Sequence, residues 1–257
     1  MGARSRLVYR AADAVRSGEP VVTSRVDAVL FDAGGVLVTP DPFQTVIALG
    51  ACGASHDPAR HVRAHWAGIA ALEHHLLAEG HPTIDVPDWT RYRRAFAAAA
   101  GVPDDALGDA AAALDRIFTS YLWTHPLAEA VAALGRLHRR GVPIGVVSNA
   151  SGQIEHTLRY RGVCQVGVGS GVPVVCVIDS EVVGVAKPDP AIFTFALDVL
   201  GLAPERVAYV GDSVINDVRG AAAAGLVPFL FDPYDDREHL GDLERLRSLH
   251  ELADLFD

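Results

Sequence analysis

Lysine is almost missing from this chain: of its 22 basic residues only Lys187 is a lysine, and the rest are arginines. Whatever needs a compact ammonium group here has one candidate. Cysteine is sparse too. Cys52, Cys164 and Cys176 are odd in number and lack C-x-x-C spacing. That argues against a disulfide framework and for small buried side chains in a reducing compartment. No apolar run reaches the roughly 20 residues of a membrane span. The opening stretch MGARSRLVYRAADAVRSGEP has no apolar core of about 7–15 residues of the kind a secretory leader carries. The expectation is therefore a cytoplasmic protein outside the membrane. A basic excess is also absent: the net charge of −10 argues against nucleic acid, which binds surfaces that release its counterions. A phosphorylated small molecule stays possible, because a cation and one lysine can reverse the sign inside a single cleft.

What remains is a globular composition, 50% hydrophobic and 21% charged over 257 residues, enough for one large domain with a modest insert. From Val26 onward short apolar runs alternate with helical ones. VDAVLF, PIGVVS, VAYVG and VPFLF read as buried parallel strands, and VPVVCVI as a further one. LAEAVAALGRLHRRG, SGQIEHTLRYRG, DPAIFTFALDVLG and VINDVRGAAAAG read as helices ending at glycine. The alternation predicts an α/β fold, a Rossmann-like parallel sheet with helices on both faces. GVCQVGVGSGVPV reads as a loop plus a strand. The stretch Asp41–Trp123 differs, being rich in alanine and histidine, helical in pattern and without a strand run. Arg4, Arg6, Arg10 and Arg16 in the first 25 residues suit a solvated helix or a frayed end.

Four segments at the ends of apolar runs carry chemistry. Asp32 follows the first predicted strand, where ligands bind in open α/β sheets, and a carboxylate there can attack phosphorus. By itself it would equally read as a turn cap. Ser148 and Asn149 end a strand and open a helix, an arrangement that makes an anion site. Lys187, in AKPDPAIF, is a point charge held by a proline-rich loop. Asp212 and Asp217, in GDSVINDV, offer hard oxygens suited to Mg²⁺, with Ser213 and Asn216 placed to orient them. Three carboxylates at one point call for a cation.

These segments, in this order and wording, resemble the haloacid dehalogenase-like (HAD) hydrolase superfamily. The resemblance covers Val26–Leu37 and, more continuously, Thr124 to about Asp232. It implies a core of residues 26–40 and 124–257, an N-terminal extension of residues 1–25, and a helical cap of residues 41–123 inserted after the first motif. It implies a Mg²⁺-dependent phosphatase acting on a small phosphorylated metabolite through an aspartyl-phosphate. In that reading Asp32 is the nucleophile, Lys187 a catalytic and phosphate-binding residue, and Ser148 and Asn149 phosphate-binding residues. The metal set is Asp32, Gly34 through its carbonyl, Asp212 and Asp217.

One position departs from the pattern. Gly34 stands where phosphatases of the superfamily carry a second aspartate, the general acid and base, a group whose loss typically costs ~10²–10⁴-fold in rate. Three readings follow: a leaving group that needs little protonation, such as a sugar 1-phosphate or acyl phosphate; a proton from a cap residue or water; or a weak catalyst that binds a phospho-ligand. Asp41 is the nearby surrogate, although Asp-Pro is ordinarily turn chemistry. A 2-haloacid dehalogenase also lacks the second aspartate but does not need the Asp212–Asp217 pair. A phosphonate-cleaving enzyme would need a cap lysine, and Asp41–Trp123 has none. Specificity is expected in the cap. His61 and His65, four residues apart, share a helix face and read as solvated or substrate-facing rather than zinc-binding. Arg60, Arg63 and Trp66 are candidate substrate contacts, and Arg91, Arg93 and Arg94 read as a charged outer face.

Overall fold

The computed structural model describes residues 26–84, 89–237 and 243–256. The N-terminal extension, with Arg4, Arg6, Arg10 and Arg16, lies outside the described residues.

The central sheet has the expected α/β form. Its strands are β1 (Ala28–Phe31), β4 (Ile144–Ser148), β7 (Cys176–Asp179), β8 (Val207–Gly211), β9 (Val227–Phe231) and β10 (Arg245–Leu246), in spatial order β10-β9-β8-β1-β4-β7. Every neighbouring pair is parallel. β1, β4, β8 and β9 are buried along their whole length, as a sheet covered on both faces requires. Val29, Phe31, Val146 and Val210 pack into one apolar layer; Leu30, Val147 and Tyr209 pack into the other. At about 1.5–3 kcal/mol for each fully buried large apolar side chain, these two layers are the main source of stability.

The helices, in chain order, are α1 (Pro42–Leu49), α2 (Pro58–Ala78), α3 (Thr90–Ala99), α4 (Leu107–Ile117), α5 (Ala128–Arg139), α6 (Ile154–Tyr160), α7 (Ser180–Val183), α8 (Ala191–Leu200), α9 (Arg219–Ala223) and α10 (Leu249–Asp254). Asp-Pro opens both α1 and α2. The Asp41 carboxylate accepts from Phe43 N and Gln44 N, and the Asp57 carboxylate accepts from Ala59 N, with proline at the first helical position. α1 to α4 share an apolar cluster of their own, with Leu72, Tyr92, Phe96 and Leu114 at its centre and Ile215 joining from the sheet side. The chain leaves the sheet through β2 (Val38–Pro40) and returns through β3 (Trp123–Pro126), and these two strands pair antiparallel.

Two local expectations are corrected. The glycine-rich stretch after α6 holds two short paired strands, β5 (Cys164–Val166) and β6 (Val172–Val174), not one. The Gln165 side chain spans the loop between them, accepting from Gly171 N at 2.8 Å and donating to Gly171 O at 3.2 Å. After β4 the helix opens at Ile154, not at Ser148–Asn149. The Asp179 carboxylate, at the end of β7, accepts from Gly152 N at 2.9 Å and Ile154 N at 3.4 Å and so shapes the intervening loop.

Candidate active site

Parallel register brings the ends of β1, β4 and β8 level. Phe31 pairs with Val146 on one side and Val210 on the other, so Asp32, Ser148 and Asp212 emerge side by side. β1 lies where the chain order reverses, the crevice at which open α/β sheets bind ligands. After β8, Val214–Val218 forms a turn of π-helix, a wide turn often found at functional sites. It swings Asp217 back onto the strand, where its Oδ2 accepts from Ser213 N at 2.9 Å. Only glycine permits this at position 211: a Cβ there would lie 2.2 Å from the Asp217 side chain.

The result is a buried constellation. Asp32, Asp212 and Asp217 each offer a carboxylate oxygen, and the three lie within 4.8 Å of one another. Lys187 Nζ lies 2.8 Å from Asp32 Oδ1 and donates to Asp217 Oδ1 at 2.6 Å and Tyr209 OH at 2.8 Å. Burial pushes the Asp32 carboxyl up to about 7; Lys187 opposes this, and repulsion from Asp217 and Asp212 adds to it. Burial works to lower the Lys187 ammonium, but the Asp217 and Asp32 carboxylates outweigh it and hold the group above its ordinary value. Burial keeps the Tyr209 phenol well above its usual range, reinforced by Asp217 and Asp32. It is therefore a neutral hydroxyl 2.9 Å from Val147 O. Three carboxylates against one ammonium leave an excess of negative charge in a desolvated place. The donor set is all oxygen, which suits a hard divalent cation such as Mg²⁺.

Asp32, Gly34, Ser148, Asn149, Lys187, Asp212 and Asp217 all line one cavity of about 390 Å³. Ser148 is buried at its floor. Asn149 has a different use from the one expected. Its Nδ2 donates to Lys187 O at 2.9 Å and its Oδ1 accepts from Lys187 N at 2.8 Å, so the side chain holds the lysine loop. Gly34 has an ordinary negative φ, unlike Gly35. A Cβ on Gly34 would stand 3.3 Å from the Trp123 ring, so a side chain there would press on the indole, which would have to give by a few tenths of an ångström.

Several expectations about the helical stretch are corrected. His61 and His65 are buried rather than solvated, at 0% and 3% exposure, and occupy separate environments: His65 lines the cavity and His61 does not. His61 sits 3.0 Å from Thr45 Oγ1 and 2.8 Å from Ser55 O. His65 Nε2 lies 2.6 Å from Asp212 Oδ2 and its Nδ1 lies 2.9 Å from Tyr92 OH. A carboxylate only accepts, so Nε2 carries the proton toward Asp212. Arg63 and Trp66 do not line the cavity. Arg63 pairs with Asp236 at 2.6 Å and lies over the Tyr234 ring, while Trp66 packs on Phe231 and Tyr234. Arg60 is exposed. Arg93 does line the cavity and pairs with Asp115 at 2.8 Å. Glu73, unremarked in the sequence, is 1% exposed. It accepts from Ser213 Oγ at 2.8 Å and Ile215 N at 3.0 Å, and faces Arg237 at 3.2 Å. Burial raises its carboxyl, with Arg237 opposing. The available signal was the stripe His61, His65, Ile69, Leu72, Glu73 and Leu76. It falls at helical spacing, so its polar members share a face with buried leucines.

A family model described as haloacid dehalogenase-like hydrolase matches residues 26–225. The chain belongs to the haloacid dehalogenase-like hydrolases. Among its relatives in the family, the phosphoserine phosphatase of Thermus thermophilus is 35% identical over 136 residues, which is 52% of this chain and 50% of that protein. The phosphoglycolate phosphatase of Rhodospirillum rubrum is 35% identical over 172 residues, 64% of this chain and 68% of that protein. The chain thus spans about half the length of the first of these relatives. Two solved HAD structures share the fold. A HAD phosphatase from Thermococcus onnurineus has a TM-score of 0.54 at 23% identity, covering 90% of this chain and 97% of its own. A magnesium-bound HAD hydrolase from Bacillus subtilis has a TM-score of 0.58 at 18% identity, covering 91% and 99%. No helix among the described residues is long and apolar enough to cross a membrane.

Proposed function

We propose that this HAD hydrolase is a Mg²⁺-dependent phosphatase of a small phosphorylated metabolite, working through an aspartyl-phosphate on Asp32. The observation that carries the reading is the cluster of Asp32, Asp212 and Asp217 oxygens within 4.8 Å, with the Lys187 ammonium bridging Asp32 and Asp217. The phosphatase names of the relatives point the same way. Asp32, Asp212, Asp217 and the Gly34 carbonyl would hold the cation. When bound, Mg²⁺ neutralises the carboxylates and the charge on the phosphoryl oxygens.

The chain's own groups do the rest. A free Asp32 oxygen attacks phosphorus, the ester P–O bond breaks, and water later cleaves the aspartyl-phosphate. Lys187 stabilises the equatorial oxygens and Ser148 positions them. Asn149 keeps the lysine loop in register. Residues 41–123 act as a cap on a core of residues 26–40 and 124–257, and His65, Tyr92 and Phe118 bring cap side chains to the cleft. The test is turnover of a panel of phosphate esters and acetyl phosphate by purified protein, with Mg²⁺ and with EDTA, beside Asp32→Asn. Turnover that needs both Mg²⁺ and Asp32 is expected. Release of halide from a 2-haloacid without Mg²⁺, and no phosphate from any ester, would overturn the reading.

A further inference from the structure

Two independent features of the cleft bear on its substrate. The first is the lack, among the described residues, of a carboxylic acid free to act as proton donor. Among the described residues, the only carboxylates lining the cavity are Asp32, Asp212 and Asp217, and all three belong to the charged cluster around Lys187. Asp41 is spent on the start of α1. Both nitrogens of His65 are engaged, one by Asp212 and one by Tyr92. Position 34 has no side chain, and a Cβ there would press against the Trp123 ring at 3.3 Å.

The second is the wall facing the site. Beyond the charged cluster the cavity lining includes Ile69, Trp89, Tyr92, Phe118 and Trp123, beside the uncharged polar Thr119, Ser120, Gln153 and Asn216, with the Trp89 and Phe118 rings each set edge-on to Tyr92, at 5.7 and 5.4 Å. Aromatic side chains in this arrangement accept a further ring. Arg93 is the one cation on this side among the described residues, and Asp115 already neutralises it at 2.8 Å. A second phosphate or carboxylate on the substrate would meet a single cation that already has a carboxylate partner, and burying it there would be costly.

We infer that the substrate is an aryl phosphate, a phosphate ester of an uncharged phenol-like alcohol whose ring lies against Trp89, Tyr92 and Phe118. The inference rests on the phosphatase reading and narrows it. The two features converge because a phenol ionises near 10, as tyrosine does, far below an aliphatic alcohol. As the Asp32 oxygen bonds to phosphorus and the P–O(aryl) bond breaks, the electron pair leaves on a phenoxide that is stable without a proton in flight. Water protonates it afterwards, so this first step needs no carboxylic acid at position 34.

The experiment uses the Mg²⁺-loaded full chain and four esters: phenyl, p-nitrophenyl, benzyl and cyclohexyl phosphate, with acetyl phosphate as reference. Benzyl phosphate keeps the ring but has an aliphatic leaving group. Expected are a kcat/KM that falls steeply with leaving-group pKa and at least ~10²-fold faster turnover of phenyl than of benzyl phosphate, the lower end of what an absent general acid costs. Benzyl phosphate should inhibit competitively and more tightly than cyclohexyl phosphate. Trp89→Ala, at a half-exposed ring, should lower the ratio of phenyl to acetyl phosphate kcat/KM by about tenfold, an apolar-contact effect. Equal turnover of phenyl and cyclohexyl phosphate, with acetyl phosphate hydrolysed in an Asp32-dependent way, would overturn the inference and leave the phosphatase reading standing. No turnover of any of the five would overturn both.

Discussion

Replacing Asp32 by asparagine should make the metal-free protein more stable and, once Mg²⁺ is added, leave it without the proposed turnover. Burial, together with repulsion from Asp217 and Asp212, lifts this carboxyl from its ordinary 3.8 to about 7, even against Lys187. The folded state therefore binds the Asp32 proton more tightly than the unfolded chain does. Below about pH 4 both states are protonated and nothing is lost. As pH rises from there through about 7, the folded state must release a proton it holds more strongly, and stability falls; above that the loss is complete. The gap between 3.8 and about 7 corresponds to about 4 kcal/mol, at about 1.36 kcal/mol per pH unit. Asparagine has the shape of the neutral acid, keeps an oxygen toward Lys187 Nζ and never ionises. In EDTA at pH 8, urea denaturation should therefore find Asp32→Asn more stable than wild type by up to about 4 kcal/mol. The advantage should shrink toward zero as the pH is lowered to about 4. Added Mg²⁺ should stabilise wild type more than the variant, because a ligand that binds only the folded state adds its binding free energy. A variant no more stable than wild type at pH 8 in EDTA would refute the claim that ionising the buried Asp32 carboxyl beside Asp217 and Asp212 costs the fold stability.

Lys187→Met removes the cation that bridges Asp32 and Asp217. In EDTA at neutral pH it should lose about 3–5 kcal/mol, the usual result of orphaning a buried ion-pair partner; a urea midpoint at or above wild type would contradict the bridging role. Glu73→Ala strips Ser213 Oγ and Ile215 N of their acceptor and leaves Arg237 with less compensation. The same measurement should show a loss of about 3–5 kcal/mol, and a loss below 1 kcal/mol would mean this link between α2 and the sheet is not energetically important. Asp41→Ala should cost about 1 kcal/mol as a lost helix cap with kcat unchanged; a large fall in kcat would instead make Asp41 the proton donor. Gly34→Asp should cost about 1–3 kcal/mol as it pushes the Trp123 ring aside. It should also raise turnover of benzyl relative to phenyl phosphate; an unchanged ratio would show that protonation of the leaving group is not what position 34 lacks.

Much of the architecture could be read from the chain alone. Runs such as VDAVLF and VAYVG and the helices that stop at Gly141, Gly162, Gly201 and Gly225 are local in origin. They follow from the period of apolar residues and from glycine's access to positive φ, which all four of these glycines adopt. The residues that line the cleft from the strand ends, Asp32, Ser148, Lys187, Asp212 and Asp217, were legible for the same reason: each follows a recognisable strand or loop within a few positions. Asn149 was legible as a cleft residue but not as the brace of the lysine loop, because its partner lies 38 positions away. His65 and Asp212 are 147 positions apart, Glu73 and Ser213 140 apart. The Trp123 ring reaches Gly34 from the far end of the helical insert. No local pattern encodes such meetings. Local pattern sets the parallel α/β sheet and the residues at its carboxyl edge, because periodicity and turn chemistry act over a few residues. Only tertiary packing decided what surrounds that edge, because which histidine, ring or carboxylate meets it depends on how the faces of distant helices fit against the sheet.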